Sequence, residues 1–371
     1  MKPTCSTIAL VAAALLASAA PLSPAAEYIY LENTDGGTVS VIDIPGHTVV
    51  SSINVGTYLD DVCASSDGTM LYVNRVNTLG LAISPRIGES GEIVAIDTDT
   101  EQVQWRTAVN GWPHHMSLSA DNRYLYVPLY DRQWMDVIDT RQRRVLQHFA
   151  IGLGGHGTQL SPDGKRLYVG SMFTDTLTVY DLATYEPVKR LAFKDAVRPF
   201  VFTRDEKTLY VQLSRLHGFD VVDLAADKIA REVALPALAA DVKLPQFYPH
   251  TYNHGLAISP DEKLLLAAGS VAGYVCAYRL PQLELAATIP VGKEPNWIVF
   301  SGDGAYAYVS NRASDTLSVI SVAELKETKQ IPVGKYPQRM RVVDVPRRTG
   351  PTPAEEPAAA DSNAAPAKGA P

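Results

Sequence analysis

The chain has 371 residues, a formal charge of −7, 46% hydrophobic residues and 20% charged residues. That length exceeds a usual single domain, so either several domains or one repeat architecture is expected. The acidic balance gives no positive field for nucleic acid, which is therefore not an expected partner, and the hydrophobic content is that of an ordinary soluble globular protein.

Residues 1–26 read as an export signal: Lys2 supplies charge, Ile8 to Leu16 form a short apolar run, and Ala17 to Ala26 is small and contains proline. Cleavage is expected near Ala26, giving a periplasmic or secreted protein. The apolar run is too short to cross a bilayer and no later stretch reaches about 18 apolar residues, so no membrane span is expected. Cys5 lies in the signal, outside the context of a lipid-anchored export signal. Cys63 and Cys276 fall in well-separated repeats and are expected to be small buried thiols rather than a disulfide.

From residue 27 the chain is periodic. A turn of Ser or Thr, any residue, then Asp recurs as SSDG, SADN, SPDG, TRDE, SPDE and SGDG, with aspartates at Asp67, Asp121, Asp163, Asp205, Asp261 and Asp303. The separations are 54, 42, 42, 56 and 42 residues, one period of 42 interrupted by insertions of 12 and 14. Each turn leads into a β-rich run: LYV at Leu71, Leu125, Leu167 and Leu209, LLA at Leu265 and AYV at Ala307. Runs such as TLTVYD and GFDVVD follow, then a run ending in glycine, as in TIPVG at Gly292. With the run before each turn, the unit is a four-stranded antiparallel sheet.

A sheet of about 42 residues that cannot bury both faces alone fits radial stacking. The expected fold is all-β, a seven-bladed β-propeller of four-stranded antiparallel blades. Innermost strands lie near Asp60, His114, His156, Arg198, His254, Asn296 and Gln338. The last has no blade after it, while residues 27–56 read as three strands lacking a first. The two termini should therefore share blade seven, with the propeller over residues 27–346. Residues 347–371, rich in Pro and Ala, are expected to be a disordered tail.

At this point the sequence resembles the YVTN-repeat β-propeller family, through YVSN at Tyr308–Asn311, LYVG at Leu167–Gly170 and TLSVI at Thr316–Ile320. The resemblance implies the fold over roughly residues 27–346. It leaves activity open, because such propellers serve as enzymes, cofactor-binding subunits and binding surfaces. By fold-level analogy, some exported propellers process lactones and others hold copper on hub histidines.

Six of the seven polar positions lie seven residues before a turn aspartate, Gln338 is placed by matching KYPQRMRV to KEPNWIVF, and all seven should converge at the channel mouth, opposite the turns. His114, His156 and His254 are three of the seven, in a chain with only 8 histidines. They suit a copper or zinc site or proton transfer, with Arg198 binding an anionic group; a plain polar lining of a wet channel is the alternative. Asp60, Asn296 and Gln338 complete the ring, and His115 and His250, close by in sequence, are expected to enlarge the histidine cluster. Loops at the same end add Arg75, Tyr130, Arg132, Arg215 and Arg312, whose guanidinium groups suggest a small anionic ligand. Both insertions open at this end, and the second carries Phe247, Tyr248, His250 and Tyr252. No G-x-S-x-G elbow, P-loop or H-E-x-x-H pair occurs, and no nucleotide cofactor is expected. Two functions remain open: a metal- or His-dependent lyase, hydrolase or copper oxidoreductase, and a non-catalytic periplasmic binding or assembly subunit for a partner redox protein.

Overall fold

A computed structural model describes residues 26–56, 58–76, 90–242 and 251–346. The expected signal residues 1–25, most of the first insertion, residues 243–250 of the second and the tail from 347 lie outside the described residues. What is described is a seven-bladed propeller of four-stranded antiparallel sheets, with a single 3-10 turn at Arg312–Ser314 as the helical element among them.

From the innermost strand outward, blade one holds β4 (Leu59–Ala64), β5 (Met70–Val76), β6 (Gly91–Asp97) and β7 (Val103–Val109). Blades two to six repeat this order. Their innermost strands are β8 (Ser117–Leu118), β12 (Gly155–Leu160), β16 (Val197–Phe202), β20 (Leu256–Ile258) and β24 (Pro295–Phe300). Blade seven is shared as expected: β28 (Pro337–Val345) pairs antiparallel with β1 (Ala26–Asn33), which continues into β2 (Thr38–Asp43) and β3 (Thr48–Asn54). Its ladder joins the two ends of the described propeller and leaves no open sheet edge at the closure.

The repeated LYV run explains the stacking. Successive residues of a strand face opposite sides of the sheet. In β5, Leu71 and Val73 pack with Val39 and Val41 of blade seven, while Tyr72 packs with Leu125 and Val127 of blade two. Each sheet thus buries both faces, one against each neighbour, and each such side chain contributes about 1.5–3 kcal/mol. Cys63 and Cys276 are both buried free thiols, as expected. No helix of the described residues is long and apolar enough to cross a membrane.

Candidate functional site

One irregularity positions the site. In blades one, three, four and six the ladder of the innermost strand shifts register at the ring position, between Leu59 and Asp61, Gly155 and Thr158, Val197 and Phe200, and Pro295 and Ile298, and in blade two Pro113 pairs with Leu129 but Ser117 with Tyr126, one residue more on the inner side. In blade seven the shift sits opposite Glu32. One strand gains a residue that its partner lacks, a β-bulge, so strict alternation fails there. Two consecutive side chains then reach the same region. The rings of His114 and His115 lie 4.5 Å apart, and both contact His156, at 4.5 and 4.0 Å between centroids.

The bulges are held by polar side chains of the second strands. Asn74 Oδ1 accepts from the Asp61 N–H (2.7 Å), and its Nδ2 donates to the His114 carbonyl of the next blade (2.6 Å). Gln212 donates to the Gly255 carbonyl, and Ser310 donates to the Gln338 carbonyl. The Arg339 N–H bonds to Glu32 Oε1. These residues occupy equivalent places just after the second-strand apolar run, so one repeat position pins the mouth of several blades.

The hub joins imidazoles, carboxylates and guanidinium groups. His114 Nδ1 lies 2.7 Å from Asp60 Oδ2. Arg339, only 2% exposed, lies over the Trp297 ring at 4.3 Å, and its Nε and Nη1 have no hydrogen-bond partner among the described residues. Both side-chain polar atoms of Asn296 and Nε of Arg312 are likewise buried without one. Such groups cost about 1–3 kcal/mol each when left unsatisfied, and concentrated at one place they mark where a ligand or ordered water belongs.

Burial first, and then Arg339 and the neighbouring histidines, hold His115 well below the usual imidazole range. Burial does the same to His156, aided by His114 and Arg198, and to His254, aided by Arg339, Arg312 and Arg198. These three rings are therefore neutral bases at neutral pH. Burial pushes the Glu32 carboxyl up to about 8 and the Arg339 guanidinium down to about 10. Asp60 goes the other way: burial would raise it, but His114, Arg339 and Arg312 together keep it below the usual carboxylate range.

The structure brings Asp60, His114, His156, Arg198, His254, Asn296 and Gln338 to the inner strands at one end. Arg198 is buried and donates through Nε to Ser214 Oγ (2.8 Å). His254 Nδ1 lies 3.2 Å from the Asn296 carbonyl oxygen, and the ring is 5.9 Å from that of His156. The tight three-imidazole group is therefore His114, His115 and His156, with ligand atoms within 4.8 Å of one another, and His254 stands beside it. Tyr130 is buried with its ring edge-on to His114 at 5.6 Å.

The loop residues divide. Arg312 bonds to Gln338 Oε1 (3.1 Å) and pairs with Glu294, at the rim of the hub. Arg75 pairs with Glu92 (2.7 Å), Arg215 forks onto Asp195, and Arg132 donates to the Asn110 carbonyl. Tyr252 is held by its backbone to Ser214 and Val271. His250 lies outside the described residues. Sequence reasoning missed Asp61, Trp297 and Arg339, each directly after a ring position, while His115 joins the cluster that its place in the sequence pointed to. The pairs Asp60–Asp61, His114–His115, Asn296–Trp297 and Gln338–Arg339 were the available signal, two consecutive polar or aromatic residues in a strand expected to alternate.

A cleft of about 550 Å³ lies at the turn end, lined by Ser259, Asp261, Lys263, Arg279 and Asp303. Its turn carboxylates already accept hydrogen bonds from their own loops, so the unsatisfied chemistry is at the hub.

Fold and site together define a seven-bladed propeller with a buried, mixed-charge hub. The chain belongs to the lactonase, seven-bladed β-propeller family, whose sequence model matches residues 49–342. The propeller part of the expected resemblance is thus shown, and the matching family is the lactonase one rather than the YVTN-repeat family. No curated protein matches the sequence. Among solved structures, the periplasmic gluconolactonase of Pseudomonas aeruginosa is similar at 20% identity and TM-score 0.67, covering 86% of this chain and 99% of that one. Hydrazine synthase of Kuenenia stuttgartiensis is similar at 18% identity and TM-score 0.64, covering 84% and 99%. Identities this low speak for the shared fold.

Proposed function

We propose that the hub hydrolyses a small lactone that carries a negative charge. The observation that carries this reading is the Asp60–His114 contact of 2.7 Å set among buried guanidinium groups. Membership of the lactonase family supports the reaction class.

Asp60 holds the His114 ring through Nδ1, leaving Nε2 to take a proton from water. The hydroxide so formed adds to the lactone carbonyl carbon. The carbonyl oxygen gains negative charge, which the partnerless Nε and Nη1 of Arg339 can stabilise without reorganisation. The ring C–O bond then breaks, and the departing alkoxide takes the proton back from the His114 imidazolium. The products are a hydroxyl and a carboxylic acid, which ionises. Arg198 and Arg312 supply charge for the anionic substituent, in keeping with the depression they impose on His254.

The test is ring opening of a phosphorylated or carboxylated sugar lactone by the mature protein and by His114→Ala. We expect kcat/KM to fall by about 10²–10⁴ in the variant, the usual share of a positioned acid–base group. Equal activity in both proteins, or none in the native one across neutral and anionic lactones, would overturn the reading.

A further inference from the structure

We propose that His114, His115 and His156 form a site for one divalent first-row transition ion, with Asp60 as the carboxylate that orients His114. The site goes beyond ring opening and does not depend on it, because it rests on the arrangement of nitrogen donors alone.

Three observations lead there. All three imidazoles are buried, come from adjacent blades two and three, and offer ligand nitrogens within 4.8 Å of one another. His115 Nε2 and His156 Nδ1 are buried with no hydrogen-bond partner among the described residues. Leaving such atoms unpaired is costly, and an electron-pair acceptor shared between them removes the cost. Finally, Asp60 sits 2.7 Å from His114 Nδ1, the carboxylate–histidine arrangement that fixes a ring so that its other nitrogen can bind a metal.

Geometry sets the adjustment required. At zinc–nitrogen distances of about 2.0–2.1 Å, nitrogens in a tetrahedral shell lie about 3.4 Å apart. The widest pair must close by roughly 1.4 Å, a movement that side-chain torsions can supply. Neutral imidazoles without thiolate suit Zn²⁺, Cu²⁺, Co²⁺ or Ni²⁺ over Mg²⁺ or Ca²⁺. Three ring ligands leave one tetrahedral position open. The charges facing the cluster are mixed: Arg339 and Arg198 repel a cation, while Asp60 and Asp61 oppose them. An ion bound here also takes the His114 lone pair that ring opening uses, so excess Zn²⁺ should inhibit that reaction.

The experiment is a titration of the untagged, chelator-treated mature protein with Zn²⁺ and Co²⁺, followed by calorimetry and by the visible spectrum of Co²⁺. We expect one equivalent bound, near-complete loss in His115→Ala and in His156→Ala, and weakening of about 10–100-fold in Asp60→Asn, the usual effect of an orienting carboxylate. His254→Ala should retain the site. Circular dichroism and melting confirm folding, and if either alanine variant fails to fold, His115→Gln and Asp60→Asn carry the test. No saturable binding in the native protein, or binding unchanged in the folded His115 and His156 variants, would overturn the inference. Because binding is read directly, failure of the metal site and failure of the lactone reading are separate results.

Discussion

At the turn end of the propeller the six Ser/Thr-x-Asp loops leave nothing unpaired. Asp67 accepts from Ser65 Oγ (2.6 Å), Thr69 N–H and Thr69 Oγ1, and Asp121, Asp163, Asp205, Asp261 and Asp303 repeat the pattern. Hydrogen bonds from those hydroxyls hold all six carboxyls below their ordinary range. At the mouth, the same repeat positions its polar groups without completing them: Asn296, Arg339, His115 and His156 keep buried atoms unpaired. Both ends use polar residues at fixed repeat positions. The difference separates polar groups that build the fold from those placed for something the chain does not itself supply.

Variants can sharpen that contrast. The largest effect is expected at the hub, where Asp60→Asn should lower kcat for lactone ring opening by about 10²–10⁴ with melting temperature nearly unchanged, because His114 loses the group that orients it. Next, Arg312→Met should raise KM for an anionic lactone by about 10–100-fold, the loss expected when a charge-assisted contact disappears from a desolvated site. Steady-state kinetics over a range of lactone charge check both.

Acid should separate the two ends as well. His115, His156 and His254 have folded-state affinities for protons far below the ordinary value of 6.5. The unfolded chain therefore binds protons that the folded one refuses, and stability falls as pH drops below 6.5, by about 1.4 kcal/mol per pH unit for each ring. Glu32 has the opposite sign: its folded value of about 8 means that the native state gains stability as pH falls from about 8 toward 4.5. Asp136 and Asp220, raised by burial to about 6, act in the same direction as Glu32 and offset part of the histidine loss below that pH. The turn aspartates contribute stability that is lost only below about pH 4. Urea unfolding at several pH values should show His156→Gln gaining on the native protein by about 1.4 kcal/mol per pH unit below 6.5. The smallest effect belongs to the turns: Asp67→Ala should cost about 1 kcal/mol with ring opening unchanged, seen as a small shift in melting temperature.

The fold was legible because the Ser/Thr-x-Asp spacing and the LYV run are local signals repeated six times, and each maps onto a turn or strand. The shared blade seven followed from counting strands, and β28–β1 pairing realises it. Ring positions were legible for the same reason. Their neighbours Asp61 and Arg339 were not, because the reading assumed alternation, and a bulge cancels alternation where the site lies. The partners of two loop arginines were not legible either: Arg75 and Arg215 each meet an acid brought close only by the fold, Glu92 and Asp195.

The most direct test of the claim that the unpaired hub groups serve a ligand is the ratio of kcat/KM for an anionic lactone over its neutral parent, glucono-δ-lactone 6-phosphate against glucono-δ-lactone. Native protein should favour the anionic form by about 100-fold or more, as a desolvated charge-assisted contact allows, and Arg312→Met should bring the ratio close to one while leaving the fold intact. A ratio near one in the native protein, or one unaltered by the substitution, would contradict the account.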